Sequence, residues 1–273
     1  MKIDSIEQLQ TYAGICEQHL AAMRDVLEKA HALEERYTEQ LRQAFPGCDR
    51  IWRRYALSTP VEKEFRHEVE RVFRELVDGA GSSRNVAYRA ELPLQEVRAH
   101  FFPDNDLLDK SMAFRPMELV EWLLQQYGEE KCAQLALSAA ADELFKLFLA
   151  YPSTNADQAP RKTRSACIFA VRVITSRFTY SHHSWDTLHN LARSMGTFGT
   201  WAEVDNPQDW EKAISDISAG VCDGRDIKSR LRCDLGSGLS LVFYKSRIDC
   251  VFSHSLARKL QKFLALHRER DAA

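Results

Sequence analysis

The sequence predicts an α+β protein. A helical N-terminal half, made of one long amphipathic helix and a bundle, precedes a mixed C-terminal half with a small antiparallel sheet and flanking helices. Three observations carry that expectation. Apolar residues recur at steps of three and four through the first 45 positions. The stretch 151-YPSTNADQAPRKTRS-165, rich in proline and small polar residues, interrupts the chain like an exposed loop. Beyond it, residues 227–252 alternate apolar and polar in three short runs. The expected organisation is a mainly helical domain at 1–150, a linker or loop at 151–165, and an α+β domain with a three-stranded meander and a C-terminal helix at 166–273.

In the first helix, Ile6, Leu9, Ala13, Cys16, Leu20, Met23, Leu27, Ala30, Leu33, Tyr37, Leu41 and Ala44 form one face. Asp4 and Glu7 stand at capping-box spacing before it, and Pro46-Gly47 ends it. So long a stripe needs another helix, from this chain or from a second one. The second helix starts at Ser58-Thr59-Pro60, with Thr59 as cap and Pro60 at the first helical position, and Gly79 and Gly81 are expected to close it. The run 86-VAYRAEL-92 reads as a short strand. Helices follow at 94–101, 116–127 and 129–150, the last apolar on most sides.

After the loop, 166-ACIFAVRVIT-175 reads as a strand and 184-SWDTLHNLARSM-195 as a helix capped by Ser184. Asn206-Pro207 opens another helix. The meander runs from Ile227 to Phe252, turning at Gly236-Ser237-Gly238 and at Lys245-Ser246-Arg247. Its inward register holds Cys233, Leu241, Phe243, Ile248, Cys250 and Phe252. Ser253 caps the final helix, with Leu256, Leu260, Phe263 and Leu264 on its apolar face.

Of 273 residues, 45% are hydrophobic and 28% charged, which suits a globular protein with a sizeable core. No apolar run approaches the ~20 residues that span a bilayer, and MKIDSIEQLQ does not read as a signal peptide, so a cytoplasmic setting is expected. Seven cysteines, none in a CxxC, read as buried free thiols. There is no GxSxG, GxxxxGK[ST] or GxGxxG, so neither a cofactor nor an enzyme motif is indicated.

The net charge of −2 hides an asymmetry: Lys+Arg number 19 against 26 Asp+Glu in residues 1–150, and 18 against 13 in residues 151–273. Period two sets Lys228, Arg230 and Arg232 on the outer face of one strand, with Lys245 and Arg247 at a turn of the same sheet. Such a strip suits phosphate contacts, with Tyr244 available for stacking. The plain alternative is a solvated sheet face, interrupted by Asp234 and Asp249, whose charges pair across strands.

The run 243-FYKSRIDCVFSHSLARKLQKFLALH-267, with Phe243, Lys245, Phe252, Leu256 and Leu260, resembles the end of an uncharacterised domain family found in phages, plasmids and integrated elements, also beside or fused to DNA methyltransferases. The helix at 185-WDTLHNL-191 falls where that family also has one. The resemblance implies a mobile-element setting.

A polar cluster, 180-YSHHSWDTLHN-190, offers His182, His183, Asp186 and His189. Asp186 and His189, at i and i+3, share a helix face and suit a metal or general-base site. Asp186 equally suits the first turn of a helix as a favourable charge. Cys222, Cys233, Cys250 and His254 have no familiar zinc spacing, and no metal site is expected from them. Three readings result. The first is a non-enzymatic accessory or regulatory protein binding DNA, RNA or a nucleoprotein complex through Lys228, Arg230, Arg232, Lys245 and Arg247. The second is an inhibitor or adaptor contacting proteins through its N-terminal helix, as part of a complex or as a homodimer. The third is a metal-dependent hydrolase using the histidine cluster.

Overall fold

A computed structural model describes residues 3–44, 58–83, 88–102, 113–149, 160–172, 182–222, 230–244 and 247–268, with backbone only at 182–185 and 217–222. The chain forms two compact units, Met1–Cys132 and Ala133–Ala273. The class is α+β, with helices throughout the first unit and a sheet in the second.

The first unit is built on α1 (Ile6–Ala44) and α2 (Ser58–Ser83), which run antiparallel. Side-chain bonds record the alignment: Ser82 Oγ donates to the Ile3 carbonyl, His19 lies 3.4 Å from Glu68, and Glu34 receives Ser58. α3 (Leu94–Phe101) and α4 (Pro116–Gln126) complete the unit. Leu9, Leu20 and Leu27 of α1 are buried with Phe65, Val69, Phe73 and Leu76 of α2, Val97 of α3 and Leu119, Val120 and Leu123 of α4. Each such side chain contributes about 1.5–3 kcal/mol through removal from water. The buried stripe of α1 stops at Leu27; Leu33 and Tyr37, expected on the same face, are exposed.

Several local expectations are corrected. The α1 cap is one residue later than Asp4: Ser5 Oγ accepts the Gln8 N–H at 3.2 Å, while the Gln8 side chain accepts the Asp4 N–H at 2.9 Å. α2 begins at Ser58, ahead of Thr59, and runs through both glycines to Ser83. The glycines serve close packing. A Cβ on Gly79 would stand 2.9 Å from Ile3 and Leu9, and one on Gly81 would collide with the Ala90 carbonyl oxygen. Of the strand expected at 86–92, residues 86 and 87 lie outside the described residues, and 88–92 form no strand: the Ala90 N–H bonds the end of α2 at Gly81 O.

Helix α5 (Glu129–Phe148), grouped by sequence with residues 1–150, buries Ala140, Ala141, Leu144 and Phe148 in the core of the second unit. The expected loop at 151–165 lies outside the described residues as far as 159. The sheet comprises β1 (Arg161–Lys162), β2 (Ala166–Arg172), β3 (Arg232–Asp234), β4 (Leu239–Phe243) and β5 (Arg247–Ser253). All pairs are antiparallel, in the order β1-β2-β5-β4-β3. The meander is present as expected, and β2 joins it beside β5. Helices α6 (His182–Trp201), α7 (Pro207–Cys222) and α8 (His254–His267) share one core with the inward register. That register is Phe169, Val171, Leu239, Leu241, Phe243, Ile248, Cys250 and Phe252, packed with Leu188, Phe198, Trp210, Leu260 and Phe263. Ser253 caps α8 by accepting the Leu256 N–H at 3.3 Å. Among the described residues, no helix is long and apolar enough to cross a membrane.

Candidate nucleic-acid interface

Strand alternation sends every second residue of the sheet to the face opposite that core. Register orders these residues into rows. One row runs Arg161, Ile168, Val251, Ser240, Asp234. The next runs Ala170, Asp249, Val242, Arg232. At the end of the sheet, Arg172 stands directly opposite Arg247, whose carbonyl accepts the Tyr244 N–H at 2.9 Å. Ile168, Ala170, Val242 and Val251 are half-buried, and Arg161, Arg172 and Arg232 are exposed. An apolar strip thus crosses the face with guanidinium groups around it.

Asp249 sits in the middle of the face yet is only 3% exposed. Arg161 Nη2 donates to its Oδ2 at 2.9 Å. Arg247 Nε lies 3.1 Å from its Oδ1, an ion contact whose N–H is not aligned for a hydrogen bond. The Arg247 guanidinium also lies 4.7 Å from the centre of the Tyr244 ring. Two arginines enclose one carboxylate, so the group keeps a positive balance at its surface. Asp234 accepts the Gly236 N–H at 3.1 Å and shapes the β3–β4 turn. Arg232 Nη2 donates to Ser240 Oγ at 3.2 Å.

Of the five cations expected on this face, Lys228 and Lys245 lie outside the described residues. Arg232 is where period two places it. Arg230 breaks the period: it has φ 71° and precedes β3, with its N–H donating to Phe243 O at 2.7 Å. Arg247, expected in the turn at 245–247, is the first residue of β5, and the other two turn residues lie outside the described residues. Arg172 was missed, although its step of two from Ala170 and four from Ile168 assigns it to the outer face once β2 is placed in this sheet.

The other candidate clusters are differently disposed. His182 and His183 open α6 two residues before the expected cap, and their side chains lie outside the description. Asp186 and His189 are exposed on the same helix. Among the described residues, no three His, Cys, Asp or Glu side chains come together to hold a metal ion. Cys250 is fully buried, and burial pushes its thiol up. His254 meets a thiol that the sequence did not single out: its Nδ1 is 3.5 Å from Cys167 Sγ and its Nε2 is 3.2 Å from Arg164 O.

The first unit has a cleft of about 540 Å³ lined by Ile3, Tyr12, Arg71, Glu75, Asp78 and Arg89, among others. There the Tyr12 hydroxyl donates to Glu75, which Arg71 also binds at 2.8 Å. Burial, with the Glu75 carboxylate second, raises the Tyr12 hydroxyl above its ordinary value. The Arg71–Glu68 bonds at 2.5 and 2.9 Å complete a network across α1 and α2.

No protein-family model, curated protein or solved structure matches the chain.

Proposed function

We propose that the outer face of the C-terminal sheet binds nucleic acid and that the protein acts by binding, as an accessory or regulatory factor. The observation that carries this reading is the register pair Arg172–Arg247 beside Tyr244. Like charges set directly opposite each other across strands repel. A phosphate between them removes that repulsion, and the Tyr244 ring supplies a surface against which a base can stack. Asp249, the acid that Arg247 contacts among the described residues, is already enclosed by Arg161 and Arg247. The apolar strip of Ile168, Ala170, Val242 and Val251 suits the sugar and base faces of a single strand. The resemblance of residues 243–267 to a domain of phages and plasmids supports a mobile-element or phage-conflict setting.

The test is fluorescence anisotropy of labelled single- and double-stranded DNA and RNA with the full chain at low and moderate salt. Micromolar or tighter binding that weakens steeply with salt is expected. Arg172→Ala and Arg232→Ala should each lower the salt slope by about 1. Absence of binding at low salt would overturn the reading.

A further inference from the structure

Among the described residues, seven large apolar side chains are exposed, and four of them lie on α1: Ile15, Val26, Leu33 and Tyr37, at 52–59% exposure. With the exposed Ala22 they follow steps of seven, four, seven and four. At about 100° per residue these five fall within roughly 60° of arc, a straight stripe about 33 Å long. The face that α1 buries inside its own unit (Leu9, Ala13, Cys16, Leu20, Leu27) lies about 120° away round the helix. The stripe is therefore a second apolar face, separate from the internal one. A helix with two such faces covers one internally and leaves the other for a partner.

We propose that this stripe is a dimer interface, covered by the same stripe of a second copy running antiparallel. The flanks of the stripe select this occupant. The flank away from the internal face carries Asp25 and Lys29, paired within the helix at 2.5 Å. A twofold axis between antiparallel helices brings this flank against its own copy. With the axis near residue 27, Lys29 stands beside Asp25 of the second copy, and Asp25 beside its Lys29. The same axis sets Leu33 over the small Ala22 of the second copy, and Tyr37 beside its Ile15. A parallel pair would set Asp25 and Lys29 against the other flank, made of Tyr12, His19, Met23, Ala30 and Glu34, whose one acid is already bound to Ser58 of its own chain. A stripe about 33 by 10 Å covers roughly 330 Å² per copy, less than half of the ~800 Å² typical of a stable interface. The dimer should therefore dissociate on dilution, with a Kd of about 10–100 µM.

Sedimentation velocity of the full chain from about 1 to 500 µM tests the proposal. The mass should rise from 31.4 kDa towards twice that value. Val26→Glu and Leu33→Glu should each hold the chain at the monomer mass with unchanged circular dichroism, since both side chains are more than half exposed. Asp25→Lys should weaken the dimer about tenfold, and adding Lys29→Asp should restore it. A monomer throughout would overturn the proposal and leave the stripe to a different protein. A dimer indifferent to Val26→Glu and Leu33→Glu would also overturn it, because association would then use another face. If Asp25→Lys has no effect, the antiparallel register is wrong.

Discussion

Glu34 closes the start of the second helix from the first: its two carboxylate oxygens accept the backbone N–H and the hydroxyl of Ser58, both at 2.6 Å. An exposed N-cap uses its own side chain to satisfy a helical N–H. Here a carboxylate from α1 joins in, and its charge lies at the positive end of α2. Glu34→Ala should destabilise the N-terminal unit by about 1–2 kcal/mol. Ser58→Ala, which keeps the N–H bond, should cost about half as much. Urea denaturation followed by helix circular dichroism measures both.

The glycines of α2 give a sharper contrast. Gly81→Ala drives a methyl group into a backbone carbonyl, whereas Gly79→Ala meets only the ends of the Ile3 and Leu9 side chains. Gly81→Ala should cost about 2–3 kcal/mol and Gly79→Ala about 1 kcal/mol or less, since flexible side chains move more readily than backbone. Alanine's helix propensity, about 1 kcal/mol better than glycine's, favours both substitutions and offsets part of each cost. Equal midpoints for the two variants would contradict this packing.

Asp249→Asn separates stability from binding. The substitution leaves Arg161 and Arg247 without their carboxylate. Removing one partner of a buried pair costs about 3–5 kcal/mol. Arg161 is 42% exposed here, so water screens part of that loss and about 1–2 kcal/mol is expected. Affinity for a labelled oligonucleotide should rise about threefold or more, because the sheet face gains a positive charge. A thermal melt and an anisotropy titration on the same sample would show the two effects moving in opposite directions.

His267 gives the second unit a dependence on pH. Its ring packs on Trp201 and Phe263 with centroid distances of 5.8 and 5.2 Å, and its Nε2 is buried without a hydrogen-bond partner. Burial holds its pKa below the ordinary histidine value of 6.5. The unfolded chain therefore takes up the proton first as pH falls. This residue's contribution to stability is flat above about pH 7 and declines as pH drops through 6.5 towards the folded pKa. His267→Phe should remove that component, seen as a smaller loss of unfolding midpoint between about pH 7 and 5.

Features governed by neighbours along the chain were legible in the sequence. The period of three and four identified α1, Pro116 and Glu129 marked true helix starts, and Ser253 caps the helix assigned to it. The inward register of Cys233 and Cys250 followed from alternation alone. Features governed by distant partners were not. Gly79 and Gly81 read as a helix end because local propensity cannot know that Ile3, Leu9 and Ala90 approach them. Asp249 read as an interruption of a basic face, because only the fold brings Arg161 within 2.9 Å of it. Arg172 went unnoticed because its neighbour in the sheet, Arg247, is 75 positions away.

The sheet has a consequence for how the chain acquires its structure during synthesis. Among the described residues β2 pairs only with β1 and β5, and Ala166 pairs with Ser253 at the far end of β5. As the polypeptide leaves the ribosome, α1 and α2 can associate once residue 83 has emerged, since every bond between them is made within that length. β2 must wait, with Phe169 and Val171 uncovered, until 81 further residues have followed Arg172 and delivered all of β5. Pairings so distant in sequence form slowly, and exposed strand edges invite aggregation in the interval. A ribosome stalled shortly before residue 247 should therefore display a protease-resistant first unit, α1 to α4, joined to a protease-sensitive remainder.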